Sequence, residues 1–373
     1  MISFSITGLS WACHPVHSEA VAGVVGRADI LCTMFCLLTL IKHRQNGWTF
    51  ATPLLATLAM LAKEQGVTVL AICLLWDLLD TRRSVKERWQ SAVRLLLSVI
   101  MILSLRAVCL GGQLPSFSKA DNPASHSDSV LTRFLTFLYL PVFNFQLLVL
   151  PSTLSYDWSM TSIPLITSFR DPRNILTVGF YSLMTCLTSK LVLKLYKLHS
   201  PTFLSPWRTN LSKTWSSSNT PTSQIEAISI IALALSLLIL PFLPATNIFF
   251  YVGFVVAERL LYLPSLGFCL LLGLGYSRLA NYHHQHGLAK LAILSRMGLI
   301  IMLASAAFKT VTRNQDWRDE EALFKSGLMV NPPKSFSNLG NIFYAKGNIK
   351  EAEICFKEAL RHRSNMADTH YNL

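Results

Sequence analysis

Ionisable side chains are concentrated in one short stretch, residues 11–29 (WACHPVHSEAVAGVVGRAD), which has apolar sequence on both sides. The chemistry-bearing side chains of this stretch are imidazoles, carboxylates and a guanidinium, contributed by His14, His17, Glu19, Arg27 and Asp29. Charged groups at membrane depth are costly unless they are paired or face water, so their default interpretation is functional. We therefore expect these side chains to lie at one end of a group of membrane helices.

The two histidines and Glu19 could also coordinate a divalent metal ion, because imidazole and carboxylate are common metal ligands. Pro15 prevents a regular helical face, and the stretch lacks the HExxH spacing. We therefore expect His14 and His17 to hydrogen-bond substrate or loop backbone, and we assign no metal site. The eight cysteines include no CxxC pair, so neither a zinc site nor a disulfide framework is predicted.

The composition is that of a membrane protein. Of 373 residues, 51% are hydrophobic and only 14% are charged, whereas a soluble globular chain carries about 25% charged residues. The net charge of +13 could suggest nucleic-acid binding. However, the lysines and arginines cluster in short loops between apolar runs, where they act as topology determinants. We therefore expect a membrane-embedded protein that binds no nucleic acid.

Apolar runs predict the membrane spans, because a helix needs about 20 apolar residues to cross a bilayer. The runs that we predict as spans are residues 21–41, 92–110, 175–193, 225–243, 260–275 and 291–308. Two shorter runs, 48–62 and 67–79, are separated by Lys63 and Glu64 and predict a helical hairpin. Polar residues interrupt 130–150, which we interpret as a re-entrant or interfacial helix.

The basic loops predict how these helices are oriented. The positive-inside rule is satisfied when the basic loops share the cytosolic side; they are residues 42–44, 82–88, 194–213 and 278–290. The opposite side then collects the polar stretches, which are residues 14–29, 63–64, 111–173 and 247–259, together with the C-terminus. The acceptor sequon at Asn210 is predicted to be cytosolic, and glycosylation there would mean that 130–150 crosses the bilayer.

The last sixty residues are richer in charge, and their apolar and small residues recur at the spacing of a helix. Phe336, Leu339, Gly340 and Phe343 fall on one helix face, and Ala352, Phe356 and Ala359 fall on the next. This spacing is typical of a tetratricopeptide repeat. The sequence therefore predicts an all-α protein, with a polytopic membrane helical bundle over residues 1–312 and a tetratricopeptide-repeat solenoid over residues 313–373.

Four stretches carry a family resemblance: HPVHSEAVAGVVGRAD, AKEQGVTV, PATNIFFYVGFVVAERLLYLPSLGFCLL and the terminal repeat, in that order. Together they resemble the transmembrane and tetratricopeptide-repeat-containing (TMTC) family, closest to its second member. The resemblance implies a GT-C-type membrane fold in the endoplasmic reticulum, with the repeats in the lumen. It also implies transfer of mannose from dolichyl-phosphate mannose, without a further cofactor, to serine or threonine of cadherin-type acceptor domains.

The resemblance also implies roles for the polar residues. O-mannosyl transfer needs a carboxylate that takes the proton of the acceptor hydroxyl and cations that stabilise the leaving phosphate. Glu19 and Asp29 are the expected catalytic carboxylates. The alternatives are that Glu19 caps a helix or pairs with Arg27, and that Asp29 complements a helix dipole.

Arg259 is the best candidate for binding the lipid phosphate, because the planar guanidinium suits a phosphate bidentately. Glu258 and Lys63 complete the expected phosphate site. An interfacial arginine that snorkels and a solvated hairpin tip are the alternatives. The residues expected to contact substrate are His14, His17, Arg27, Glu64 and Asp157.

The chain also departs from the family pattern. Family members carry earlier spans and a first luminal loop with a paired acidic motif, the expected base, whereas this chain starts within what resembles the third span. We expect a fragment that also ends within a repeat, and an inactive product is the alternative. A non-catalytic scaffold whose luminal repeats bind chaperones or calcium-handling proteins is the second hypothesis. A transporter is disfavoured, because the charges gather at one face rather than at the midplane.

Overall fold

The computed structural model describes residues 2–80, 83–111, 117–199 and 221–373, and every regular element within these ranges is helical. The prediction of an all-α protein is therefore confirmed over this part of the chain. The acceptor sequon at Asn210 lies outside the described residues.

Long helices form the first part of the chain. In order they are α1 (Ile2–Ala12), α2 (Ser18–Ala22), α3 (Arg27–Asn46), α4 (Ala51–Ala62), α5 (Val69–Leu79), α6 (Val85–Cys109), α7 (Val130–Val149), α8 (Arg173–His199), α9 (Pro221–Ile239), α10 (Tyr262–Gln285) and α11 (Ala289–Asp316). Short 3₁₀ turns lie between some of them, at Pro15–His17, Glu64–Thr68, Pro123–His126, Leu240–Ala245 and Glu258–Leu261. The C-terminal part forms α12 (Glu320–Ser326), α13 (Pro332–Ala345), α14 (Ile349–His362) and α15 (Ala367–Asn372).

Six helical segments of the described chain are long and apolar enough to cross a membrane. They are Val85–Cys109, Val130–Val149, Arg173–Tyr196, Glu226–Ala245, Glu258–Gln285 and Ala289–Asp316. A seventh would combine Pro15–Ala22 with Arg27–Asn46, which meet at an angle of 107°. The fold is therefore that of a multi-pass membrane protein.

The first predicted span begins later than its apolar run. Residues 21–25 end α2 and form a turn, and α3 starts only at Arg27. Gly26 permits this turn, because a Cβ atom there would lie 2.4 Å from the carbonyl oxygen of Ala20. Hydropathy could not distinguish the turn from the span, because the turn is made of valine and glycine.

The predicted hairpin at residues 48–79 is present. The turn Glu64–Thr68 folds back on α4, and a Cβ atom on Gly66 would lie 2.4 Å from the carbonyl carbon of Ala59. At the other end of the hairpin, His43 Nε2 lies 2.9 Å from Asp77 Oδ2 and joins α3 to α5. The tip of the hairpin and the start of α3 therefore share one end of the bundle.

Helix α7 is unbroken through Pro141, although its sequence predicts a re-entrant or interfacial element. By length and composition it could cross a membrane. The segments on either side of it are nevertheless hydrogen-bonded to each other, since the amide of Met160 donates to the carbonyl of Ala120 at 2.8 Å. This contact supports the expectation that both ends of α7 face the same side of the bundle.

Two apolar cores meet at one short segment. Leu261 packs in a core with Leu135, Trp158 and Ile166. Leu263, two residues later, packs in a second core with α3, α4 and α5. The turn Glu258–Leu261 is therefore fixed between both cores, which positions the charged residues at its start.

The C-terminal helices form the packed pair that the repeat pattern predicts. Leu339 of α13 and Phe356 of α14 are buried. Gly340 allows the two helices to approach closely, because a Cβ atom there would lie 2.5 Å from the ring of Phe356. Helix α11 continues to Asp316, so it passes through the boundary predicted at residues 312/313.

Candidate functional site

Charged residues from four distant parts of the chain meet at one end of the bundle. We call this the charged end and define it by Glu19, Asp29, Lys63, Glu258 and Arg259. Glu19 lies on α2, Asp29 in the first turn of α3, and Lys63 directly after α4. The other two residues open the 3₁₀ turn that leads into α10.

Glu19 holds Arg259 through both of its carboxylate oxygens. The backbone amide of Arg259 donates to Oε2 at 2.9 Å, and Nη1 of its guanidinium donates to Oε1. Glu19 is buried, whereas the arginine side chain remains 26% exposed. The alternative pairing of Glu19 with Arg27 is not formed, because Arg27 is exposed at the start of α3. Glu19 therefore orients a guanidinium that still reaches solvent.

Asp29 is completely buried beside two cations. Its Oδ2 lies 3.2 Å from the ammonium of Lys63 and 4.0 Å from Nε of Arg259. Gln65 donates to Oδ1 at 3.4 Å. An unpaired carboxylate would be expensive here, and the two cations offset part of that cost.

Glu258 is held by backbone and indole donors rather than by an ion pair. The amide of Ser155 donates to Oε1 at 2.6 Å, and the indole Nε1 of Trp158 donates to the same oxygen at 2.9 Å. The side chain is fully buried, and Oε2 has no hydrogen-bond partner among the described residues. Glu258 therefore depends on a loop that lies 100 residues earlier in the chain.

A cavity of about 280 Å³ opens beside the charged end. Lys63, Glu64, Gln65 and Arg106 supply its polar wall, and Phe250 contributes to its apolar wall. Glu64 pairs with Arg106 at the end of α6. The cavity therefore combines cationic groups with an apolar wall, which is the chemistry that suits a phosphorylated lipid.

The two histidines have protein partners. His14 Nε2 donates to the carbonyl of Leu148 at 3.0 Å, and His17 Nε2 lies 2.7 Å from the hydroxyl of Ser265. Both rings are buried, and burial lowers the pKa of His14 below its ordinary value. Substrate binding by His14 and His17 stays a prediction, and their observed contacts join this stretch to α7 and α10.

Asp157 contacts the C-terminal helices instead of the cavity. Its carboxylate accepts from the ammonium of Lys334 at 2.6 Å and from the side-chain amide of Asn331 at 3.0 Å. Burial opposes ionisation of Asp157. The ammonium of Lys334 and the amide of Ser159 outweigh that effect and hold the pKa of Asp157 below its ordinary value.

Three contributors to this region were not identified from the sequence. They are Gln65 at the hairpin tip, Arg106 near the end of α6 and Arg313 near the end of α11. Arg313 is 3% exposed and donates to Asp316 and Ser326 at 3.0 Å each. Only Gln65 had a sequence signal, because it adjoins Lys63 and Glu64.

No group of three or more His, Cys, Asp or Glu side chains in the described ranges is arranged to hold a metal ion. The charged end instead alternates carboxylates with lysine and arginine. An anion can bind to such a network by displacing one of the carboxylates from its lysine or arginine partner.

The fold and this network define a polytopic membrane protein with a buried acid–base cluster at one end of its helices. Residues 111–185 match the family described as Protein O-mannosyl-transferase TMTC, DUF1736. The chain is 41% identical to Protein O-mannosyl-transferase TMTC2 of Homo sapiens, over 98% of this chain and 50% of that protein. It is 37% identical to Protein O-mannosyl-transferase Tmtc1 of Drosophila melanogaster, over 98% of this chain and 49% of that protein.

The chain is thus similar to proteins of the TMTC family over nearly its whole length. The chain spans about half the length of the curated relatives that it matches. No solved structure matches it, so the GT-C-type architecture stays a prediction.

Proposed function

We propose that this chain forms part of a protein O-mannosyltransferase that uses dolichyl-phosphate mannose as donor. One observation carries the proposal: Arg259 and Lys63, each held by a buried carboxylate, lie at the charged end beside a cavity with an apolar wall. The names of the relatives support mannosyl transfer as the reaction.

In the proposed reaction, the donor phosphate competes with Glu19 and Asp29 for their cations. The phosphate gains negative charge as its bond to mannose breaks, so Lys63 and Arg259 stabilise the leaving group most strongly in the transition state. A carboxylate that has lost its cation becomes a better base for the acceptor hydroxyl. Glu19 and Asp29 are the candidates for this step.

The bonds formed and broken in this reaction balance. The acceptor oxygen forms a bond to the mannosyl carbon, the carbon–phosphate oxygen bond breaks, and dolichyl phosphate leaves with the bonding electron pair. The hydroxyl proton goes to the carboxylate. No resident metal is needed, because cationic side chains supply the positive charge. We therefore expect transfer to be unchanged by EDTA.

We further propose a luminal reaction in the endoplasmic reticulum, with cadherin-type domains as acceptors. The tetratricopeptide-type helices, which reach the charged end through the loop that contains Ser155, Asp157 and Trp158, are well placed to present such an acceptor. Glu64 and Arg27 would contact the sugar or the acceptor at the edge of the site, since both side chains are exposed.

The test measures mannosyl transfer by membranes from cells that express the protein. We expect Arg259→Ala to lower transfer from dolichyl-phosphate mannose at least about 100-fold, as is usual when a transition-state charge partner is lost. Arg278→Ala is the matched control, because Arg278 is exposed toward the far end of α10, the helix that follows the turn with Arg259. Normal transfer by Arg259→Ala at normal expression would refute the proposed site.

The alternative is a non-catalytic scaffold whose repeats bind chaperones or calcium-handling proteins. The observation in its favour is that the carboxylates of Glu19 and Asp29 are already ion-paired. A scaffold would bind its partners equally well with Glu19→Gln and Asp29→Asn, whereas a transferase would lose activity. Measuring both partner binding and mannosyl transfer with these two variants therefore distinguishes the two functions.

A further inference from the structure

A six-residue loop connects the charged end to the C-terminal helices. We call residues 154–159 the connecting loop; it follows α7 and precedes α8. Its residues contact two different neighbours. Ser155 and Trp158 contact Glu258. Tyr156 and Asp157, which lie between them, contact α13 and the residues that precede it. The loop is therefore shared between the candidate site and the repeat.

On the site side, the connecting loop supplies both hydrogen bonds of the Glu258 carboxylate. Trp158 is buried, and its ring centroid lies 5.1 Å from that of Phe143 on α7. The contact with Phe143 therefore holds the indole donor of Trp158 in position. Ser155 is also buried, and its hydroxyl ties it to Asp157: Oγ donates to the carbonyl of Asp157 at 3.0 Å and accepts from its amide at 3.3 Å.

On the repeat side, the contacts are dense. Lys334 and Asn331 donate to Asp157, and the hydroxyl of Tyr156 lies 3.2 Å from that of Ser335. The ring of Tyr156 lies against Gly327, where a Cβ atom would be 2.3 Å from a ring carbon. A glycine is therefore required at this point for the repeat to approach the loop.

We propose that Lys334 is a positioning residue for the charged end, and that it acts through Asp157 and the connecting loop on Glu258. The charged hydrogen bond between Lys334 and Asp157 fixes the loop between Ser155 and Trp158. A displacement of α13 moves Asp157, and the Ser155 amide two residues away moves with it. Binding of an acceptor protein to the repeat would in this way be transmitted to the buried carboxylate.

Hydrogen exchange of the connecting loop tests this coupling without any transfer assay. We expect Lys334→Met to raise the exchange rate of the peptide that contains Ser155 about tenfold, because local opening exposes an amide that is now protected. Lys334→Arg keeps the charge and should restore slow exchange. Lys350→Met is the matched control, since Lys350 is exposed on α14.

Unchanged exchange at Ser155 in Lys334→Met would overturn the proposal, and so would an equal effect of Lys350→Met. Should Lys334→Met open the whole fold, including α3 and α5, Asp157→Asn decides. That variant keeps the size of the side chain and removes the charge that Lys334 contacts, and exchange at Ser155 must rise or the proposal is wrong.

A second measurement rests on the proposed function. In transfer assays, Lys334→Met should lower kcat about fivefold and leave the KM for the lipid donor unchanged, because the donor cavity does not contact Lys334. A change confined to the donor KM would contradict the coupling. Loss of transfer in the wild type would refute the proposed function but leave the exchange result standing.

Discussion

The ammonium of Lys63 lies 3.2 Å from Oδ2 of Asp29, and this contact joins the tip of the α4–α5 hairpin to the first turn of α3. The aspartate is completely buried, whereas the lysine is 23% exposed. The pair therefore places one buried charge next to one cation that a ligand can reach. The proposed exchange of Asp29 for a donor phosphate rests on this asymmetry.

Lys63→Met is expected to reduce both stability and transfer. Removing one partner of a buried ion pair costs up to about 3–5 kcal/mol. We expect about 2 kcal/mol here, because Gln65 and Arg259 still contact Asp29 and solvent screens part of the lysine charge. Thermal unfolding in detergent measures the loss, and Lys42→Met, an exposed lysine on α3, is the control.

The double variant Lys63→Met/Asp29→Asn should recover most of that stability without recovering transfer. A neutral amide no longer needs a cation, so removing both partners costs less than removing one. Equal unfolding temperatures for the single and double variants would contradict the ion-pair interpretation.

The opposite end of the bundle carries a purely structural network. Asp77 is fully buried and accepts from His43 at 2.9 Å, Arg83 at 2.8 Å and Ser91 at 2.5 Å, which ties α5 to α3 and α6. We expect Asp77→Ala to cost about 3–5 kcal/mol, because it leaves a buried imidazole and a guanidinium without their acceptor.

Thermal unfolding checks the Asp77 prediction, with the exposed Asp128→Ala as control. The donor KM of the surviving folded protein should not change, since Asp77 is far from the charged end. A donor KM that rises with normal stability would mean that this network belongs to a substrate site.

The apolar pattern predicted most of the helices but not where the first span begins. The predicted span 92–110 lies in α6 up to Cys109, where the helix ends, as its length and composition indicate. Residues 21–25 are equally apolar, yet they turn because Gly26 lets the backbone pass Ala20 closely. Close backbone approach depends on tertiary packing, which a run of apolar residues does not reveal.

The sequence also predicted which polar stretches share an end of the bundle, but not their partners. Basic loops alternate with polar ones, so residues near Glu19 and residues near Arg259 were expected on the same side. Their direct pairing spans 240 positions, and no local spacing encodes it. Asp157 was expected at substrate, and its contact with Lys334 likewise required the folded chain.

Acid should weaken the docking of the repeat only at low pH. The pKa of Asp157 is held below its ordinary value of 3.8, so the folded protein binds the Asp157 proton less readily than the unfolded chain. The stability that this aspartate contributes is therefore fully present above the ordinary value. It is lost as the pH falls through the lowered pKa of the folded state.

The difference in unfolding temperature between the wild type and Asp157→Asn measures this contribution. It should stay constant between about pH 7.5 and about pH 5 and should shrink only as the pH falls below the ordinary value of 3.8 toward the lowered pKa of the folded state. A difference that fades between about pH 7 and about pH 5 would instead indicate a raised pKa and would exclude the ion pair with Lys334.

Labelling of single cysteines tests the topology of α7 and of the repeat together. Exposed reporter positions flank α7 at His126 and Phe169, and Met329 reports on the repeat. Lys86, before the apolar part of α6, reports on the predicted cytosolic side. Cys109 and Cys186 are exposed and must first be replaced by serine.

In sealed microsomes, an impermeant maleimide added outside should label the cysteine at position 86 and spare those at 126, 169 and 329 until detergent is added. The reason is that the two flanks of α7 are hydrogen-bonded to each other, and that the connecting loop contacts α13. Opposite labelling of positions 126 and 169 would mean that α7 crosses the bilayer. Labelling of position 329 from outside would place the repeats, and with them the charged end, in the cytosol, where the proposed luminal reaction could not occur.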